Sequence, residues 1–105
     1  MAMTAEATAV LAVLRTSDGP VHSKRIARIV GVAWRQVVDA VRELRTRHGI
    51  LVGSSSDGYW LIETVEEARA TRARLVGKLK GTRETIDAID AAWPQLAQGR
   101  LLEVT

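Results

Sequence analysis

Basic side chains are concentrated in one short part of this 105-residue sequence. Residues 23–47 contain seven lysines and arginines against two acids, Asp39 and Glu43, a formal charge of +5, whereas residues 63–105 contain seven of each sign and are neutral. Guanidinium and ammonium groups bind phosphate, and arginine also pairs with the edge of guanine through two hydrogen bonds. This local excess therefore predicts a polyanionic partner. The seven basic residues are Lys24, Arg25, Arg28, Arg35, Arg42, Arg45 and Arg47.

Two closely spaced helical patterns carry these charges. The first covers residues 24–30, with Ser23 expected to cap it, and Gly31 ends it because glycine readily adopts the left-handed conformation of a tight helix end. The second covers residues 34–47 and has an inward apolar stripe at helical spacing. That stripe consists of Val37, Val41 and Leu44. The opposite, outward face then consists of Trp34, Arg35, Gln36, Val38, Asp39 and Arg42.

An amphipathic helix precedes this pair, and a β-hairpin is expected to follow it. Thr4 can cap a helix over residues 5–15, which has apolar residues at helical spacing. Two short apolar runs, residues 50–52 and 59–62, flank a polar turn with an Asp-Gly pair, which is typical of a hairpin. The second run is apolar on both faces and needs a cover on each side, for which the last helix is the obvious candidate.

The last predicted helix is long, covering residues 64–93. The sequence Thr-Val-Glu-Glu at its start is a capping box, and Pro94 is expected to end it. Mostly apolar positions alternate at spacings of three and four along it, which indicates a coiled-coil seam that is imperfect at Arg72 and Thr82. The seam can cover the hairpin, pair with a second copy of the chain or bind another protein; we expect its first turns to cover the hairpin and the remainder to form a homodimer. The predicted dimer interface is Leu75, Leu79, Ile86, Ile89 and Trp93.

The stretch SKRIARIVGVAWRQVVDAVRELRTRHGILVGSSSDGYWL resembles the winged helix-turn-helix domains of bacterial and phage DNA-binding proteins. The resemblance covers about residues 10–62. It implies a mainly α fold with a small β-hairpin (α+β), in which residues 34–47 form the recognition helix and the hairpin forms the wing. The expected organisation is a winged domain over residues 1–63, the long helix over 64–93 and a tail over 94–105.

In such a fold the start of the recognition helix reaches base edges first. Arg35 can pair with guanine and Gln36 with adenine, while Trp34 can contact thymine methyl groups or sugars, or instead pack on the first helix or a neighbouring subunit. Asp39 is expected to pair with Arg35 or Arg42, although it could accept a hydrogen bond from cytosine. The wing tip has no cation and is expected to bind weakly. The predicted DNA-binding residues are Trp34, Arg35, Gln36, Asp39, Arg42, Ser23, Lys24, Arg25, Arg28, Arg45 and Arg47.

Few residues in the sequence could support catalysis. It has no cysteine, its two histidines lack partners at metal-ligand spacing, and the serines at 54–56 lack a base at a recognisable spacing. No apolar run approaches the roughly 20 residues of a membrane span. We therefore expect neither enzyme activity nor a cofactor, metal or membrane partner, and a cytoplasmic location.

Two functional hypotheses remain. The first is a sequence-specific double-stranded DNA-binding protein, acting as a dimeric transcriptional regulator and associated with the nucleoid when bound to DNA. The second is a winged-helix protein–protein adaptor, for example in phage replication or in modulation of a host machine, without specific DNA binding.

Overall fold

The computed structural model describes residues 2–97, apart from the side chains of Gln95 and Ala97. The chain is mainly helical, with one two-stranded antiparallel hairpin and a long last helix, as predicted. The elements are α1 (Ala5–Thr16), α2 (Ser23–Val30), α3 (Trp34–Arg47), β1 (Val52–Ser55), β2 (Gly58–Leu61) and α4 (Val65–Ala97). They divide into two units between Thr71 and Arg72, within α4. No helix in the described range is long and apolar enough to cross a membrane.

The core of the first unit lies between the first three helices and β1. On each of these three helices the apolar residues that recur on one face are directed into the core. In α3 the stripe includes Ala40 as well as the three residues expected from the sequence. The buried core residues are Ala7, Val10, Leu11, Leu14, Ile26, Ala27, Val37, Ala40, Val41, Leu44 and Val52.

The ends of the first two helices follow local capping chemistry. Thr4 caps α1 as predicted, its hydroxyl accepting from the amide of Ala7 at 3.2 Å. At α2 the expected cap is wrong by one residue: His22 is the cap, and its Nδ1 accepts from the amide of Lys24 at 3.2 Å. Ser23 is instead the first helical residue. Gly31 ends α2 with φ 80°, the left-handed conformation that its sequence position predicted.

The hairpin is displaced from its predicted strands by up to three residues. Val52 pairs with Leu61 and Ser55 with Gly58, so residues 56 and 57 form the turn. On the other side of β2, Val21 forms two main-chain hydrogen bonds with Tyr59, at 2.8 and 2.9 Å, in an isolated antiparallel bridge. The connection between α1 and α2 is thereby fixed to the hairpin.

The start of α4 belongs to the same unit as the hairpin. The hydroxyl of Thr64 accepts from the amide of Glu67 at 3.2 Å, one half of the predicted capping box; in place of the other half, the carboxylate of Glu67 accepts from the hydroxyl of Thr64 at 3.2 Å. The carboxylate of Glu67 also accepts from the indole N–H of Trp60 at 2.5 Å, and the hydroxyl of Thr71 accepts from the amide of Ser54 at 3.4 Å. The first two turns of α4 therefore contact the hairpin, as expected.

The predicted end of the last helix is wrong. Pro94 lies inside α4, which continues to Ala97. Proline removes one main-chain hydrogen bond and crowds the carbonyl oxygen one turn before it, but its fixed φ is compatible with helical geometry, and α4 continues past it. The predicted tail from residue 98 onward lies outside the described residues.

Candidate nucleic-acid interface

The outward face of α3 is exposed over its whole length. Arg35, Asp39 and Arg42 are all exposed, and no described element covers them. Their exposure follows from the buried stripe on the opposite side of the helix, which turns these positions away from the core. The residues predicted to read a nucleic acid therefore do share an accessible face.

Trp34 lies at the start of this face and does not join the core. It is 49% exposed, and the guanidinium carbon of Arg35 lies 5.5 Å from the centre of its ring. A guanidinium over an indole face is held by a cation–π interaction. The tryptophan thus restricts the orientation of Arg35 while both side chains stay accessible.

Gln36 has a local structural role that the sequence analysis missed. Its Oε1 accepts from the amide of Ala33 at 2.8 Å and so caps the start of α3. Ala33 has no polar side chain to complete a reciprocal capping box. Because Oε1 of Gln36 already accepts this bond, a bidentate contact to adenine would have to use the second lone pair of Oε1 or break the cap. The two N–H donors of the Gln36 amide group remain available.

Asp39 is not neutralised by the arginines expected to pair with it. Within residues 2–97 it forms no ion pair with Arg35 or Arg42, so that prediction is wrong. The carboxylate is exposed midway along the outward face. The Asp39 carboxylate is therefore a hydrogen-bond acceptor on a face whose other charged side chains are donors. It can accept from the amino group of cytosine, and its negative charge repels phosphate.

Basic residues of α2 flank this face. Lys24, Arg25 and Arg28 are exposed, and their side chains form no hydrogen bond or ion pair with any other described residue. Ser23 is partly buried at the first position of α2. The helix therefore supplies three cations that can bind phosphate without losing an existing partner.

Arg45 is positioned differently from the prediction. Its Nε and Nη2 donate to the main-chain oxygen of Val52 at 3.0 and 2.8 Å, and its side chain is half-buried. Burial lowers the pKa of Arg45, with the nearby Tyr59 acting in the opposite direction. This arginine ties α3 to the hairpin, and we remove it from the candidate interface.

Arg47, the last residue of α3, is exposed but already takes part in an interaction within the chain. We therefore assign it no phosphate contact.

Hydrogen bonds around Glu43 connect α3 to Thr4, the residue that caps α1. The Glu43 carboxylate accepts from the amide and the hydroxyl of Thr4 at 2.9 and 2.8 Å, and His48 Nε2 lies 3.2 Å away. These bonds, the main-chain bond of Thr4 foremost, hold the pKa of Glu43 below its ordinary value of 4.5. Thr4 and Glu43 are 39 residues apart, and no local sequence signal connects them.

The hairpin tip presents acceptors rather than cations. Ser56 and Asp57 are exposed in the turn, and the amide of Asp57 donates to the hydroxyl of Ser55 at 3.1 Å. The negative charge of Asp57 opposes approach of a phosphate.

A second accessible surface lies on the later part of α4. The five predicted interface residues are all exposed, with exposed fractions between 40% and 70%. No group of three or more potential metal ligands occurs among the described residues. Comparison with protein-family models, curated proteins and solved structures finds no significant match to this chain.

Proposed function

We propose that this chain is a sequence-specific double-stranded DNA-binding protein that inserts α3 into the major groove and regulates transcription. The observation that carries the proposal is the exposed outward face of α3, where Arg35 and Arg42 have no ion-pair partner among the described residues. The major groove admits an α-helix, and its base edges present acceptors that arginine recognises. A cytoplasmic, nucleoid-associated location is part of the same proposal.

The proposed contacts divide into two classes. Arg35, oriented by Trp34, and Arg42 contact base edges, with guanine the preferred target of Arg35. Asp39 accepts from cytosine, and Gln36 donates through its amide while it continues to cap α3. The α2 cations bind phosphate and set the register of the protein on the duplex. Those cations are Lys24, Arg25 and Arg28.

The element order supports a winged helix-turn-helix assignment. Helix α2 ends at Gly31, α3 begins at Trp34, and the hairpin follows α3 directly. In that class of domain the preceding helix braces the recognition helix. Here the hairpin is tied to α3 by Arg45 and carries Asp57 at its tip, so its proposed role is to support α3 rather than to contact DNA.

Selection from a random duplex pool, followed by binding titrations, tests the proposal. The selected site should be bound at least about 1,000-fold more tightly than random duplex at physiological salt. Arg35→Ala should lose about 1–3 kcal/mol of discrimination at one or two base pairs. Arg15→Ala is the matched control, because Arg15 is an exposed arginine of α1 that lines a pocket with Trp60 and Glu67 and is not part of the outward face of α3. Equal binding of the selected site by parent and Arg35→Ala would remove that residue from the readout.

A protein–protein adaptor is the second candidate function, and one observation favours it. Trp34 and Val38, one helical turn apart on α3, are 49% and 38% exposed and form a small apolar patch on the same face. Exposed aromatic side chains are common in protein interfaces. A mobility-shift titration with random duplex at low salt separates the two, because an adaptor would cause no retardation at micromolar protein.

A further inference from the structure

The later part of α4 has an apolar seam with no partner in the described chain. Every residue from Arg72 to Trp93 is exposed. With Thr82 included, the seam positions recur at alternating spacings of three and four, the pattern of a two-stranded coiled coil interrupted by one polar residue. Leu96, which is 49% exposed, extends the pattern beyond Pro94. The exposed apolar seam residues are Leu75, Leu79, Ile86, Ile89, Trp93 and Leu96.

This segment gains little stability from packing within its own chain. Gly77 and Gly81 lie inside it with no side chain or neighbouring backbone within 4 Å of an added Cβ atom. Each glycine costs about 1 kcal/mol relative to alanine in a helix. Because most helical stability in proteins comes from packing of an apolar face, a helix of this composition requires a partner along its seam.

Charge is separated along the segment. Residues 72–83 carry five cations and no acid, whereas residues 84–97 carry three acids and no cation. The cations are Arg72, Arg74, Lys78, Lys80 and Arg83, and the acids are Glu84, Asp87 and Asp90. Of these charged residues only Lys78, Arg83 and Asp90 lie at positions that flank the seam, so these three decide which alignment of two copies is favourable.

We propose that α4 forms an antiparallel homodimer through this seam. In a parallel pair Lys78 would face Arg83 of the second copy at the positions that flank the seam, which is repulsive. In an antiparallel pair this repulsive contact is absent, and Arg83 can flank the seam beside Asp90 of the second copy. The proposal concerns α4 alone and does not depend on DNA binding.

The charges also select the register. With Ile86 opposite Ile89 of the second copy at the centre of the pair, Arg83 and Asp90 of the second copy flank the seam on the same side, and the two-fold axis generates this pair twice. If one copy is shifted by one heptad along the other, a shift in one direction places the Arg83 side chains of the two copies side by side. A shift in the opposite direction places the two Asp90 side chains side by side. Both shifted registers bring like charges together, so the first is favoured.

Within its own helix Arg83 makes only a weak contact. Its Nε lies 3.8 Å from the carboxylate of Asp87 one turn later, and both side chains are largely exposed. An exposed pair of this kind contributes little to stability. The guanidinium group is therefore free to reorient toward Asp90 of the second copy.

Mass measurement on the full chain provides the first test. Sedimentation equilibrium without DNA should give a species of twice the 11.5 kDa chain mass that dissociates on dilution. A monomer at all concentrations up to about 100 µM, far above the micromolar range of specific association, would overturn the proposal and point to a different protein as the occupant of the seam.

Charge reversal tests the orientation. Arg83→Glu should weaken the dimer about five- to twentyfold, because it places a second carboxylate next to Asp90 of the second copy in both pairs. Arg83→Glu combined with Asp90→Lys should restore parental affinity. Lys80→Glu is the matched control, since position 80 lies outside the seam and its flanks. Tighter dimerisation by Arg83→Glu would indicate a parallel pair and overturn the proposal.

Disulfide formation gives an independent measure, because the chain has no cysteine of its own. In the proposed register Leu79 faces Leu96 of the second copy, so a mixture of the Leu79→Cys and Leu96→Cys chains should cross-link on mild oxidation. Neither variant should cross-link alone, because the two copies of each position would lie about 26 Å apart along the pair, beyond the reach of a disulfide. In a parallel dimer each variant would cross-link by itself and the mixture would give no mixed species, which would contradict the antiparallel arrangement.

Discussion

The guanidinium group of Arg45 donates two hydrogen bonds to the main-chain oxygen of Val52, at 3.0 Å from Nε and 2.8 Å from Nη2. This contact joins α3 to the first strand of the hairpin. A cation that was expected on phosphate is therefore used to position the element that follows α3. The sequence places Arg45 three residues from Arg42 on the same helix, yet the two arginines have different roles.

Replacement of Arg45 should reduce stability more than replacement of Arg42. Arg45→Ala leaves the buried oxygen of Val52 without its donor, and we expect a loss of about 1–3 kcal/mol in the free energy of unfolding. Arg42→Ala, on the exposed face, should change it by less than about 0.5 kcal/mol. Urea unfolding followed by circular dichroism measures both. Equal destabilisation by the two variants would show that the contact to Val52 contributes nothing to stability.

Protonation of Glu43 should contribute to acid destabilisation. The pKa of this carboxyl is held below 4.5 in the folded protein, chiefly by the amide of Thr4 and then by its hydroxyl. The folded protein therefore binds fewer protons at this group than the unfolded chain does, so its stabilising contribution is present above about pH 4.5 and is lost as the pH falls through the folded-state pKa.

Glu43→Gln isolates this contribution. The variant should be less stable than the parent near neutral pH, and the difference should shrink as the pH falls below about 4.5. Urea midpoints measured from about pH 7 to about pH 3 provide the comparison. Glu6→Gln, which removes a carboxyl whose side chain makes no hydrogen bond or ion pair within residues 2–97, is the control. A difference between parent and Glu43→Gln that stays constant with pH would contradict the assignment.

Gly58 should tolerate no side chain. Its φ is 128°, and a Cβ atom there would overlap the main chain of Val21, which pairs with Tyr59. Gly58→Ala should lower the free energy of unfolding by about 1–3 kcal/mol, because the backbone must leave this conformation or Val21 must move. Gly19→Ala is the control, since nothing lies within 4 Å of an added Cβ and its φ is not positive. Similar thermal midpoints for the two variants would mean that the Val21 pairing adapts readily.

The sequence predicts the periodic and local features of this protein well. The stripe through Val37, Val41 and Leu44 recurs at helical spacing, so it identifies both the buried side of α3 and its exposed face. Thr4 and Gly31 act at helix ends through their immediate neighbours, which is why their roles are also readable.

Contacts between residues far apart in the sequence cannot be predicted from such local patterns. The bond from Thr4 to Glu43 and the bonds from Arg45 to Val52 depend on how helices and hairpin pack, and neither has a local pattern. The end of α4 differs from the prediction for another reason. Pro94 removes one hydrogen bond and crowds the carbonyl of the preceding turn, which costs about 3 kcal/mol inside a helix, yet its φ is compatible with helical geometry and α4 continues to Ala97.

The α2 cations should contribute affinity without sequence preference. Lys24, Arg25 and Arg28 are exposed and have no ion-pair partner among the described residues, so contact with phosphate would release counterions without breaking an existing bond. Each substitution by alanine should weaken binding to selected and random duplexes by a similar factor. It should also reduce the slope of log affinity against log salt concentration by about one.

Arg35→Ala and Arg15→Ala complete this comparison. Arg35→Ala should weaken the selected site far more than random duplex, because base contacts are lost, whereas Arg15→Ala should leave both affinities and the salt slope nearly unchanged. Fluorescence anisotropy titrations over a salt series give all of these quantities. If Arg28→Ala changed the preferred sequence but not the slope, α2 rather than α3 would lie against the bases, and the proposed orientation on DNA would be wrong.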